Sequence, residues 1–209
     1  MPVASDKTEQ SACIPVPLNQ DGFNSVCALP YGLEIQHIQK AMQGFLDFIS
    51  FINSQLYTKA LPRFEMMMMS ANFSSIVGEF MAVSIPKYCH DLTKNQHHNG
   101  HPDLVPVNFY PNNAILHGTE GVEIKASRYT KGWQGHNPED VWLMVFVFDS
   151  NRANDTEPRK FKFVTVLGAK LEQSDWRFSG RSAESRRTIT ASVTQSGFAK
   201  MTNNWIYRD

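Results

Sequence analysis

Apolar side chains recur at three- and four-residue steps between Leu33 and Leu56: Ile35, Ile38, Met42, Phe45, Leu46, Ile49, Ile52 and Leu56. That spacing predicts a long amphipathic helix with one core-facing stripe. A second helical stretch follows Pro62 and carries the run Met66 to Met69, read as a buried segment filling irregular space. A third is predicted from Asn72 or Ser74, either of which can cap it, through IVGEFMAVSI to about Ile85. Pro86 then stops it.

Beyond a polar, His-rich loop at 89–101 the pattern changes to that of strands. Leu104–Val107, Ala114–His117 and Gly121–Ala126 are short apolar or alternating runs joined by turn signals, PNN and HGTEG. VWLMVFVFD, residues 141–149, is almost continuously apolar, as a strand buried on both faces must be. FKFVTVLGAKL, residues 161–171, predicts another strand, and the tail from about Ser192 to Tyr207 a closing helix. Residues 1–30 are rich in Pro, Ser, Asn and Gln with no apolar period, and read as an N-terminal arm or irregular segment before a single domain at 31–209. Helices, then a strand meander, then mixed elements indicate an α/β (α+β) fold.

Composition narrows the class. With 42% hydrophobic and 19% charged residues among 209, there is ample material for a core. No apolar run approaches the ~18 residues of a membrane-spanning helix, so no membrane association is expected. The N-terminus lacks the basic flank and apolar stretch of a signal peptide. Three cysteines without a CxxC pair suit a reducing, cytoplasmic setting. Net charge is zero, so any nucleic-acid partner would have to be met by a local excess of charge.

Candidate chemistry lies in HPDLVPVNFYPNNAILHGTEGVEIKAS, residues 101–127. On a strand, Glu123 and Lys125 point to one face, and Val122, Ile124 and Ala126 to the other. An ion pair on a mostly apolar strand is costly unless exposed, paired or bound to a ligand. A meander would carry Asp103 beside Glu123. Two converging carboxylates suit Mg2+, which takes one or two carboxylates plus water and phosphate oxygens. A neighbouring ammonium can orient a water or stabilise charge on phosphate. Such a set would hydrolyse a phosphodiester.

Pro102-Asp103 followed some twenty residues later by Glu123-Ile124-Lys125 resembles the PD-(D/E)xK nuclease superfamily, and within it the type II restriction endonucleases. The likeness spans roughly residues 73 to 170, about half of the chain, including the upstream helix and the strand VWLMVFVFD. It implies a restriction-endonuclease-like core, a mixed central sheet flanked by helices. By the same resemblance Asp103 and Glu123 would bind Mg2+, Lys125 would assist the attacking water, and Glu79 in GEFM would be a further acid from the preceding helix. The products would carry a 5′-phosphate and a 3′-hydroxyl.

The remaining signals bear on partners. Cys89, His90, His97, His98 and His101 are candidate zinc ligands without zinc-ligand spacing, and fit a polar loop near the site better. In YTKGWQGHN, residues 129–137, glycines let the backbone bend sharply, while Lys131, Gln134, His136 and Asn137 offer groups for phosphate or base edges. From Arg159 to Arg187, eight basic residues face three acidic ones. Arg177, Arg181, Arg186 and Arg187 are the candidate DNA contacts there. The expected protein is a Mg2+-dependent endonuclease on double-stranded DNA, a homodimer of the restriction type, since a twofold enzyme matches a palindrome. A structure-specific repair or recombination nuclease of the same fold, and a non-catalytic DNA-binding module, are the alternatives.

Overall fold

A computed structural model describes residues 6–135, 140–179 and 190–209. Five α-helices run Asp6–Ala12 (α1), Ile35–Tyr57 (α2), Phe64–Met67 (α3), Ser70–Ser84 (α4) and Gln195–Asn203 (α5). Nine strands run Leu92–Lys94 (β1), Leu104–Pro106 (β2), Val122–Ser127 (β3), Gln134–Gly135 (β4), Val141–Asp149 (β5), Lys162–Leu171 (β6), Trp176–Ser179 (β7), Thr190–Val193 (β8) and Trp205–Arg208 (β9). The fold is mixed α/β. A six-stranded mixed sheet, ordered β1-β2-β3-β5-β6-β9, is antiparallel except for the parallel pair β3–β5. A three-stranded antiparallel sheet, β4-β8-β7, lies apart from it in the hydrogen-bonding order.

β5 organises the interior. It pairs with β3 on one edge and β6 on the other, and eight of its nine residues are buried. Strand alternation sends Met144, Phe146 and Phe148 into one core with α2 and α4. Leu143, Val145 and Val147 enter a second core with Trp133, Trp176, Ala191 and Met201, beneath the small sheet and α5. Full burial of each large side chain stabilises the fold by about 1.5–3 kcal/mol, so the uninterrupted apolar run is what allows two cores to share one strand. The long helix and this strand match the pattern read from the sequence.

Several expectations are corrected. The segment at 6–30 is irregular apart from α1 and a single 3-10 turn at Gln20–Gly22, yet it packs onto the rest of the fold: α1 docks through Glu9, whose Oε1 meets Arg63 Nε at 2.7 Å, and Cys13 and Leu18 are buried. Seven residues are too few to show an apolar period, and tertiary contacts order them. The methionine run is not a buried helix. α3 ends at Met67, and Met67 and Met69 are exposed. α4 starts at Ser70 rather than Asn72 or Ser74, and the Ser75 hydroxyl bonds back to the Ala71 carbonyl inside the helix. Ala114–His117 makes only an isolated bridge, His117 with His101. The tail is a short helix between two strands, not one closing helix. Among the described residues no helix is long and apolar enough to cross a membrane. All three cysteines are free thiols.

Candidate active site

β3 carries the first two residues of interest. Its parallel register sets Glu123 beside Leu143 and Lys125 beside Val145. Both therefore sit on the second-core side of the large sheet, while Val122 and Ile124 are buried on the α2/α4 side. The alternation read from the sequence holds.

Asp103 arrives by register. β2 pairs with β3 only at Leu104↔Val122. One further antiparallel step sets Asp103 opposite Glu123, the spacing at which cross-strand side chains meet. There Asp103 Oδ2 accepts the Ile124 N–H at 2.8 Å, satisfying an amide on the strand edge that β2 has left. Asn95 holds this turn from behind: its N–H donates to the Asp103 carbonyl and its side-chain amide to the Pro102 and Ile115 carbonyls.

Glu123 is bracketed. Lys125 Nζ lies 2.8 Å from Oε1 and His101 Nδ1 2.9 Å from Oε2, with all three side chains largely buried. Burial works to raise the Glu123 pKa, but the Lys125 ammonium and the His101 bond outweigh it and hold the carboxylate ionised. Asp103 goes the other way. Burial, then the neighbouring Glu123 charge, push it up to about 7 against the pull of the Ile124 amide and Lys125. Two facing carboxylates in one buried place disfavour double ionisation, so the pair takes up a proton more readily than two separate acids would.

The pair opens on a cleft of about 240 Å³, walled by Ser74, Ser75, Gly78 and Glu79 of α4 opposite Asp103 and the 123–126 edge of β3. Glu79 is exposed and bonded to Lys94 at 2.7 Å, so it borders the cleft without joining the carboxylate pair. Asp103 and Glu79 also border a second, open hollow of about 500 Å³, lined by the 94–100 loop.

The donor set suits a hard, oxygen-preferring cation. A carboxylate has about four lone-pair sites, so Asp103 and Glu123 keep acceptor capacity after the bonds named above. Among the described residues no three His, Cys, Asp or Glu side chains gather as a closed metal cage. Mg2+ needs none when water and substrate oxygens complete its shell. The loop histidines and Cys89 do not assemble for zinc: Cys89 is buried with its thiol toward the Tyr31 carbonyl, His97 bonds the His98 carbonyl, and His101 turns to Glu123.

The candidate DNA contacts divide into two groups. His136, Asn137, Arg181, Arg186 and Arg187 lie outside the described residues. Lys131 is exposed in the loop before β4, where Trp133 anchors the turn by burying its ring against Phe198. Gln134 and Arg177 come together across the small sheet: both are Cα partners of Ser192 on the central strand β8. Direct partners share a face, so Gln134, Ser192 and Arg177 form one row, with Trp176 and Ala191 buried on the opposite face. Arg159 and Lys162 of the basic run are engaged elsewhere, in ion pairs with Asp149, Asp155 and Asp209.

Two features escaped the sequence reading. His101 was legible only as a loop histidine, although it directly precedes Pro102-Asp103. The small sheet has strands of two to four residues, too short for a period-two signal. No family model matches the chain, nor does any curated protein or solved structure.

Proposed function

We propose that the chain is a Mg2+-dependent endodeoxyribonuclease hydrolysing phosphodiester bonds in double-stranded DNA, a site-specific enzyme of the type II restriction kind on a restriction-endonuclease-like core. One observation carries the reading: Asp103, Glu123 and Lys125, singled out in the sequence by strand alternation and by the resemblance, meet at the wall of a single cleft. Asp103 and Glu123 would hold the ion, which when bound supplies Lewis-acid polarisation of a phosphate oxygen and a water of lowered pKa. Lys125, held by Glu123 at 2.8 Å, contributes a fixed positive charge beside the phosphate and a donor that orients the incoming water. Asp103 must give up its proton before it can ligate, so the site works best near and above neutral pH. Glu79 acts at the rim rather than as a ligand in this reading.

The Gln134–Ser192–Arg177 row supports a DNA-contacting face. Arginine and glutamine are the side chains that read guanine and adenine edges bidentately, and serine serves phosphate. A homodimer would apply two such sites to a twofold sequence.

The test is incubation of phage and supercoiled plasmid DNA with the protein in Mg2+, followed by sequencing of the product ends. Discrete fragments with a common end sequence, 5′-phosphate and 3′-hydroxyl are expected. Nicks confined to flaps or mismatches would instead favour a structure-specific nuclease. DNA binding without any Mg2+-dependent cutting would leave a non-catalytic binding module.

A further inference from the structure

We propose that His101 is a positioning residue: it fixes the Glu123 carboxylate in the orientation that the divalent cation requires. This rests on the metal-site reading above and adds a residue that neither the spacing of the acids nor the acid-acid-lysine set includes.

Glu123 is a long side chain with three rotatable bonds, and a single donor on Oε1 would leave its carboxylate plane free to turn. Lys125 supplies that donor at 2.8 Å. The second, His101 Nδ1 at 2.9 Å from Oε2, pins the other oxygen and thereby the plane. Because an ionised carboxylate only accepts hydrogen bonds, Nδ1 must carry the hydrogen, which fixes the ring's donor.

The imidazole is itself held from the backbone. His101 N–H donates to the Leu116 carbonyl at 3.0 Å, and the His101 carbonyl accepts the Gly118 N–H at 2.8 Å. This bridge is what the 116–118 segment contributes in place of the strand its sequence suggested. His101 is thus fixed by a segment separate from β3, and its side chain returns to β3 to orient Glu123. Asp103, two residues on, presents its carboxylate to the same strand at Ile124. One tripeptide, His101-Pro102-Asp103, therefore supplies one oxygen ligand and the group that orients the other. Groups that orient metal ligands in this way typically account for 10–100-fold in affinity or activity when removed.

The test is calorimetric titration of Mn2+ into the wild-type chain and the His101→Ala, His101→Asn and Glu123→Ala variants, with melting curves in EDTA. His101→Ala should weaken Mn2+ binding about 10–100-fold. His101→Asn, which returns an N–H near the Nδ1 position, should recover most of that loss. In Mg2+-dependent cutting, His101→Ala should raise the Mg2+ concentration for half-maximal rate while the rate at saturating Mg2+ largely returns. His101→Ala binding within about twofold of wild type, or Asn no better than Ala at an unchanged melting temperature, overturns the proposal. Should His101→Ala fail to fold, the Asn variant decides: its Mn2+ affinity must stay near that of wild type. Wild-type protein that binds no Mn2+, or Glu123→Ala that binds it fully, overturns the metal-site reading and this inference with it.

Discussion

Two buried clusters in this molecule are each built on one Lys or Arg and two acidic side chains, and behave differently. In the first, Arg63 is enclosed by Glu9, Glu65, Asn151 and the Arg159 carbonyl, at 2.7 to 2.9 Å. Asn53 takes the other Glu65 oxygen at 2.9 Å. The two acids bind different nitrogens of one guanidinium, and the network closes on itself, tying α1, α2, α3 and the 150–159 loop together. In the second, Lys125 touches Glu123, while Asp103 faces Glu123 and is pushed up to about 7 by burial and that like charge. The charges there are left in tension beside a cleft. Identical stoichiometry makes a structural clamp in one place and a candidate site in the other; the difference is whether the acids flank the cation or face each other.

Substitutions can break that contrast. The largest effect is expected from Asp103→Asn, which keeps an acceptor for the Ile124 amide but removes the charge. It should abolish DNA cleavage, with DNA affinity in Ca2+ retained and a melting temperature in EDTA no lower than that of the wild type. Lys125→Ala should follow with a turnover loss of roughly 10²- to 10³-fold, the scale of removing one charge-stabilising donor. Plasmid cleavage under single-turnover conditions measures both. Conversely, Arg63→Ala should cost about 3–5 kcal/mol of stability, because two carboxylates lose their partner and Glu65 is fully buried. Urea denaturation gives that number, and the fraction that remains folded should cut normally.

A titration sharpens the contrast further. A carboxyl raised in the folded state binds more protons folded than unfolded between its ordinary pKa, near 4, and about 7. Folding stability from Asp103 is therefore highest at the acid end of this window and falls as pH rises through it. Glu123, held low, has the opposite sign and loses its contribution only in more acidic solution. In EDTA, the wild-type melting temperature should decline from pH 5 to pH 8 relative to Asp103→Asn; parallel curves would show that the two carboxylates do not repel. The smallest effect belongs to the outer sheet. Arg177→Ala should reduce the slope of log affinity against log salt by about one if Arg177 contacts phosphate. Gln134→Ala should leave that slope unchanged and relax preference at one base position, read by binding to a randomised duplex library.

What the sequence made legible follows from periodicity. The stripe of α2, the double burial of β5 and the alternation of Glu123 and Lys125 against Ile124 are all local, so spacing alone reveals them. The meeting of Asp103 with Glu123 depends on a register fixed by the single pair Leu104↔Val122 and by Asn95, neither of which leaves a periodic trace. The same holds for His101, oriented by a bridge to the 116–118 segment, and for Gln134 and Arg177, aligned through Ser192 some sixty residues from one and fifteen from the other. The Met66 to Met69 run misled because composition suggested burial where only tertiary placement decides it.

Unequal anchorage of the two carboxylates has a kinetic consequence. Glu123 stands on a strand bonded to β5 over six residue pairs, whereas Asp103 precedes a three-residue strand that meets β3 at one pair and the equally short edge strand β1 at three. Amide hydrogens of β3 that bond to β5 should exchange with solvent only when the large sheet opens, while those around 101–106 should exchange through smaller, more frequent openings. A divalent cation held by Asp103 and Glu123 would tie the turn to the strand. Slowed exchange at 101–106 on addition of a divalent cation, with β5 unchanged, would be the signature of that stapling.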